Sequence, residues 1–327
     1  MSLILELAEA TGLSSGDIER VIRTAPARYK TYPIEKRSGG IRIIAQPSRE
    51  LKVIQNYILK EKLKDFPVHS CAMAYEKGRN IFDNAASHVG SRVLMKLDFK
   101  DFFPSIKVKD WERFIAASSV ETISPTEVYL YSKVLFWGEK RRSSVPKCLS
   151  IGAPTSPKVS NILLYDFDMT MSGKARSLGL SYTRYADDIT ISGDTVEQIL
   201  LLEREAKQIL RKMAHPKLTF NEAKRGIYSK GQRQMVTGLI VTPQAVVSIG
   251  RERKREISSL LHRSLLGQLD NDRRSLLKGL LGFCVANEPE FIGRLRRKYG
   301  NGAVNAAMKF HAPKRARVQP PPPPTLF

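Results

Sequence analysis

The chain of 327 residues carries 54 Lys and Arg against 32 Asp and Glu, a formal net charge of +22, and 42% of its residues are hydrophobic. That apolar share and length support two or three packed units and exclude a disordered basic tail. A positive excess of this size points to a polyanionic partner, and because no apolar run approaches the ~18 residues of a membrane helix, nucleic acid fits better than membrane. The N-terminus SLILELAEA has two Glu and no basic stretch, unlike a signal peptide. Cys71, Cys148 and Cys284 are far apart and odd in number, which fits neither a zinc knuckle nor a disulfide framework. They read as reduced thiols of a cytosolic protein.

Residues 2–29 have the pattern of short helices, with Ser15 as a cap candidate and Asp17 and Glu19 in the following first turn. The pattern of LAEATGLSSGDIERVI superficially matches a helix-turn-helix, but its second half, SSGDIERVI, carries two acids and one base, so plain helical packing is the better reading. From Tyr29, YKTYPIE and IRIIAQP alternate on both sides of Arg37-Ser38-Gly39-Gly40, a hairpin with a glycine turn. Lys36 and Arg42 flank that turn, and suit either a triphosphate or plain solvation. Leu51, Ile54 and Ile58 predict a helix over residues 48–64.

Asn84 and His88 stand four apart in a polar loop and short helix and share a face, as a bracing pair commonly does. Next, the run from Val93 to Leu97 reads as a core strand ending in Asp98. A carboxylate at that edge would cost several kcal/mol if buried alone, so it needs a partner or a metal. Phe103 borders the same place. Trp111, Phe114 and Ile115, then Val128, Leu130, Tyr131 and Val134, predict two core-facing helices, and residues 138–147 a basic turn.

In SIGAPTSPKVSNILLYDFD, Gly152, Ala153, Pro154 and Pro157 deny bulk before a helix predicted over residues 158–168. Small residues there would let a base pair and its sugar approach the backbone, although turn chemistry alone explains them too. SYTRYADDITIS then alternates on both sides of a short polar step, predicting a β-hairpin with Asp187 and Asp188 at its tip. Asp is a common turn residue, but adjacent carboxylates repel and are costly to desolvate, which suggests a bound cation. Mg²⁺ takes such hard oxygen ligands and completes its shell with water and phosphate.

An amphipathic helix follows over residues 195–214, then a strand and turn offering Lys224, then two short strands around Pro243, the first opened by Val236-Thr237-Gly238. From Gly250 the chain reads as basic helices. Arg251, Arg253, Lys254 and Arg255 crowd a helix start, where they oppose the macrodipole, so phosphate contact explains them better than helix stability does. Pro320 to Pro324 form a polyproline end, an idle tail or a docking peptide.

The order Asp98, then Gly152-Ala153-Pro154, then Tyr185 to Asp188, resembles motifs A, B and C of reverse transcriptases. NAASH at 84–88 and Val236-Thr237-Gly238 match the NAxxH and VTG signatures of the retron branch. The resemblance runs from about Tyr29 to Gly300. It implies an α+β right-hand polymerase: an N-terminal helical extension over 1–28, fingers over 29–92, a palm with a small antiparallel sheet over 93–245, a fingers insertion near 110–150, a helical thumb over 246–310, and a Pro-rich tail over 311–327.

By motif, Asp98, Asp187 and Asp188 would be catalytic and bind two Mg²⁺, with the Phe99 carbonyl adding a ligand. Lys36, Arg42 and Asp101 would meet the nucleotide, together with Gly152 and Ala153. Phe103 would exclude a ribose 2′-OH, and Lys224 would assist pyrophosphate departure. Asn84, His88, Val236, Thr237 and Gly238 would serve RNA binding, as would Arg251, Arg253, Lys254 and Arg255 and, further on, Arg296 and Arg297. Where many relatives have Pro-Gln-Gly, this chain has Ser150-Ile151-Gly152, so a glutamine contact to the nucleotide is missing.

The family further implies a bacterial, cytoplasmic enzyme working with a structured noncoding RNA (msr-msd), dNTPs and an effector protein. Synthesis would start from a guanosine 2′-OH and leave branched msDNA, in anti-phage defence. No RNase H segment is expected after the thumb. The alternatives are a group II intron-type reverse transcriptase and an idle RNA-binding scaffold for an effector.

Overall fold

A computed structural model describes residues 3–36, 39–117, 123–140 and 143–312. The turn residues Arg37 and Ser38 and the polyproline segment lie outside the described residues.

Helices α1 (Leu3–Thr11) and α2 (Ser15–Thr24) pack through Leu3, Leu7, Ile18, Val21 and Ile22 into the main core. The α2 cap is Ser14, not Ser15: its Oγ accepts from the Asp17 N–H at 3.1 Å. Strands β1 (Tyr29–Glu35) and β2 (Ile41–Pro47) form a two-stranded antiparallel ribbon. Helix α3 (Arg49–Tyr57) is shorter than its periodicity predicts, because residues Ile58–Lys62 continue as a π-helical turn. After α4 (Ile81–Ala86) comes β3 (Val93–Asp98), then α5 (Phe102–Ser105), α6 (Val108–Ala117) and α7 (Pro125–Leu135).

The helix predicted over 158–168 is two helices, α8 (Ser156–Leu163) and α9 (Tyr165–Ser177), separated at Leu164. Pro157 sits in the first turn of α8, where its missing N–H costs nothing. Strands β4 (Ser181–Tyr185) and β5 (Asp188–Gly193) make the expected hairpin, followed by α10 (Val196–Lys212) and β6 (Gly226–Ser229). The order β4-β5-β3-β6 is antiparallel throughout. Its inward side chains Met95, Leu97, Tyr182, Ile189 and Ile191 join one core with Phe167, Met171, Ile199 and Leu202 of α9 and α10.

A second core lies under the C-terminal third. Short strands β7 (Met235–Val236), β8 (Leu239–Val241) and β9 (Val247–Ser248) form a three-stranded sheet, one strand more than expected. Val236 ends β7, while Thr237 (φ +47°) and Gly238 (φ +85°) make the left-handed turn into β8. Helices α11 (Arg251–Leu265), α12 (Asn271–Asn287), α13 (Pro289–Tyr299) and α14 (Asn301–Lys309) close it through Ile257, Leu261, Leu281, Leu295 and Val304. Ala85 and Leu94 reach into this core from α4 and β3, so it is continuous with the larger sheet.

Candidate active site

Register brings the acidic residues together. Asp98 ends β3 directly opposite Asp188 of β5, and Tyr185 pairs with Asp188 across a two-residue turn of Ala186 and Asp187. The Phe99 N–H donates to the Asp187 carbonyl at 3.1 Å, tying the hairpin tip to the end of β3. Carboxylate oxygens of Asp98, Asp187 and Asp188 consequently lie within 4.8 Å of one another. Like charges directly opposite in a sheet are destabilising.

The electrostatics register that conflict. Burial, then Asp98, raises the Asp187 carboxyl, against its own backbone hydrogen bond and the charges of Lys224 and Arg42. Burial, then Asp187, pushes Asp188 up to about 6, with Lys96 opposing and Asp98 adding to the rise. Asp98 is 5% exposed and accepts from Lys224 Nζ at 2.7 Å. Three converging hard-oxygen ligands, two of them reluctant to ionise without a cation, fit a divalent metal such as Mg²⁺.

Around this centre the expected nucleotide contacts are unevenly placed. Arg42, exposed on β2, is near enough for its charge to lower the Asp187 pKa, and Lys36 sits at the ribbon's tip, its N–H bonded to the Gly40 carbonyl at 2.9 Å. Asp101 is exposed in a left-handed conformation (φ +45°) before α5. Half-buried Phe103 rests on Phe102 at 5.2 Å between centroids, and beneath them Phe102, Phe99 and Phe220 stack in a row.

Gly152 has a packing reason to be small. A Cβ there would stand 2.7 Å from the Ala45 carbonyl, and Ala45 N–H donates to the Ile151 carbonyl at 2.9 Å. The closely approaching backbone is that of β2, which the motif B loop clasps. Ala153 is buried beside it.

The two retron-signature stretches touch each other. Asn84 Nδ2 donates to Thr237 Oγ1 at 3.4 Å, and Thr237 Oγ1 donates to the Ile81 carbonyl at 3.2 Å. His88, fully buried, holds Ser192 Oγ at 2.8 Å by Nδ1 and Thr183 Oγ1 at 2.7 Å by Nε2. Burial pulls its pKa down to about 3, so the ring is neutral. Direct RNA contact by these two side chains is therefore corrected to a brace: Asn84 and His88 fasten α4 to the β4–β5 hairpin and to the β7–β8 turn, and Val236 is wholly buried.

The basic start of α11 also divides. Arg253 donates to the Gly238 carbonyl at 3.2 Å and covers the Phe283 ring at 4.8 Å, while Lys254 pairs with Glu288 at 2.5 Å. Those two charges have internal work. Arg251, Arg255, Arg296 and Arg297 are exposed.

Sequence reading missed the support of the hairpin itself. Arg184, fully buried, binds Asp168 of α9 through Nε (2.9 Å) and Nη2 (2.5 Å), and its Nη1 donates to Asn161 Oδ1 (3.1 Å) and to the Ala186 carbonyl (3.0 Å). Tyr182 Oη donates to the same Asp168 at 3.0 Å. Arg184 thereby fixes the turn residue, whose left-handed φ of +58° is uncommon for alanine. The signal was available: Tyr182 and Arg184 alternate onto the core face of β4, where a charge demands a partner.

The chain matches the model of the reverse transcriptase (RNA-dependent DNA polymerase) family over residues 34–257. It is 37% identical to the retron Ec83 reverse transcriptase of Escherichia coli, over 90% of this chain and 94% of that protein. With the retron Ec86 reverse transcriptase of E. coli it shares 30% identity over 94% and 93% of the two chains. Among solved structures, Candida albicans telomerase in complex with a telomeric RNA fragment superposes with a TM-score of 0.48 at 11% identity, over 88% of this chain and 61% of that one. On the matched residues and the two retron relatives, the chain belongs to the reverse transcriptases, RNA-dependent DNA polymerases, and within them to the retron enzymes.

Proposed function

We propose that this enzyme copies a structured noncoding RNA (msr-msd) that serves as both template and primer, starting from a guanosine 2′-OH and yielding branched msDNA, in the bacterial cytoplasm and with an effector protein in anti-phage defence. The observation that carries the polymerase part is the gathering of Asp98, Asp187 and Asp188 within 4.8 Å on one cross-strand register. The retron-specific part is supported by the relatives' identity over nearly the whole chain. In this reading, fingers span 29–92, palm 93–245 with an insertion near 110–150, and thumb 246–310.

The three carboxylates, with the Phe99 carbonyl, would hold two Mg²⁺. Bound there, such ions supply an activated attacking hydroxyl and a stabilised leaving oxygen. Arg42 and Lys36 neutralise the triphosphate as the ribbon approaches it. Asp101 and the Gly152-Ala153 backbone border the nucleotide, and the Phe103 ring fills the volume a 2′-OH would need. Lys224, whose Nζ donates to Asp98 at 2.7 Å, would hold its proton at Nζ for the departing pyrophosphate. Exposed Arg251 and Arg255, with Arg296 and Arg297, face RNA phosphates; Arg253 and Lys254 hold that surface in place.

The test is extension by purified protein on RNA transcribed from the flanking locus. Wild type should give a product resistant to alkali only on its DNA arm, carrying a 2′–5′ branch. Asp187→Asn should abolish synthesis while RNA binding persists. A linear product, or full activity in Asp187→Asn, would refute the reading.

A further inference from the structure

Residues 71–73 lie along the free edge of β4, and the chain continues from there through Tyr75 to Arg79. Ala72 bridges Arg184 in parallel, Met73 N–H donates to the Arg184 carbonyl at 2.8 Å, and Arg184 N–H donates to the Cys71 carbonyl at 2.9 Å. This short rung extends the sheet beyond its outer strand and stops at Met73, two residues before Tyr75.

Both neighbours of Tyr75 are gripped by one side chain. Asn161 of α8, fully buried, donates through Nδ2 to the Ala74 carbonyl at 3.0 Å and to Glu76 Oε1 at 3.2 Å, while its own Oδ1 accepts from Arg184. Lys158 adds an ion pair to Glu76 at 3.3 Å, and Arg79 Nη1 donates to the Ala72 carbonyl at 3.1 Å. Held from both sides, Tyr75 adopts φ +67°, a left-handed conformation that is an outlier for a bulky residue. The residue is nonetheless 54% exposed. A strained backbone that delivers a large aromatic ring to solvent gains nothing for the fold, and such strain clusters at ligand clamps. Partial burial, then the charge of Asp187, then Tyr185, raises the phenol's pKa, in keeping with a ring beside the hairpin tip.

We propose that Tyr75 is a nucleic-acid contact of the active site, its ring bearing on the primer nucleotide whose hydroxyl reacts. The inference rests on the polymerase reading of the Asp98, Asp187 and Asp188 cluster. An aromatic face suits a site that must accept each new terminal base in turn, because stacking is tolerant of sequence. The anchors explain its placement: the Arg184 and Asn161 groups that steady the hairpin turn also steady this loop, so ring and carboxylates keep a common frame. Tyr75 acts on the strand and leaves the metals to the three carboxylates.

The experiment uses the full chain with an RNA template annealed to a DNA primer, comparing wild type, Tyr75→Ala and Tyr75→Phe. Duplex affinity is read by fluorescence anisotropy, and KM is measured separately for duplex and for dNTP. Loss of one stack should weaken duplex binding and raise duplex KM on the order of tenfold in Tyr75→Ala. Tyr75→Phe should stay near wild type, and dNTP KM and melting temperature should not move. Duplex affinity and KM within twofold of wild type in Tyr75→Ala would overturn the proposal, as would a change confined to dNTP KM. Failure of wild type to extend any primer would instead strike the polymerase reading, and the anisotropy comparison would still decide whether Tyr75 touches the duplex.

Discussion

The two hairpins β1–β2 and β4–β5 are written in similar letters and treated in opposite ways. Tyr32, Ile34, Ile41 and Ile43 on the first are 37–64% exposed, whereas Tyr182, Ile189 and Ile191 on the second are at most 7% exposed. Alternation marks both as strands, but only β5 has a further strand, β3, beside it and helices behind it. The first hairpin is a two-stranded ribbon anchored at its base, where Ala45 is buried and bonded to Ile151. An isolated pair of strands is marginal in water, while a sheet backed by helices is rigid. The contrast places carboxylates, which need fixed spacing, on the stiff hairpin, and Arg42, a long cation able to reach, on the loose one.

The largest effect should come from cutting the stiff hairpin's support. Arg184→Leu leaves Asp168 charged, buried and unpaired, a change that costs ~3–5 kcal/mol. Urea unfolding should show it; a loss under about 1 kcal/mol would mean that the ion pair is dispensable. Removing both charges, Arg184→Leu with Asp168→Leu, should recover much of that stability, because buried pairs are often replaceable by apolar packing. Polymerase activity should not recover with it, since the Ala186 carbonyl has lost its donor. Restoration of both together would break the link between the network and the turn.

A smaller effect concerns pH in the metal-free protein. Asp188 titrates near 6 when folded, above its ordinary value, so the folded state resists its ionisation. The sign follows: the penalty is fully present above pH 6 and disappears as pH falls through 6 toward 4. Asp188→Asn should therefore raise the melting temperature at pH 8 in the presence of a chelator, with little change at pH 4. Mg²⁺ should stabilise wild type more at pH 8 than at pH 5. An equal Mg²⁺ effect at both pH values would argue against binding through these carboxylates.

Much of the site was readable before any coordinates because its residues are close in sequence to strand signals. The tip of SYTRYADDITIS and the end of VLMKLD carry their acids at predictable strand termini, and antiparallel pairing brings them opposite. What eluded reading depends on distant contacts. Nothing local says that Arg184 meets Asp168, that Asn161 clamps both sides of Tyr75, or that Gly152 is small for the sake of Ala45. The signature residues Asn84 and His88 were recognisable as a pair, but their burial follows from packing α4 between two sheets. Helix ends went astray for a related reason: the break at Leu164 and the π-turn after Tyr57 arise where an amphipathic pattern runs on without interruption.

The smallest expected effect on stability lies on the loose hairpin. Ile41→Ser and Ile43→Ser remove side chains that are 64% and 48% exposed, so each should alter unfolding free energy by no more than about 0.5 kcal/mol. Ile189→Ala on the stiff hairpin removes a fully buried one and should cost about 2–5 kcal/mol. Arg42→Ala should resemble the exposed pair in stability while raising KM for dNTP on the order of tenfold, the loss of one charge-assisted contact. If Arg42→Ala left KM for dNTP unchanged, the ribbon's cation would not be reaching the nucleotide, and looseness there would need another use.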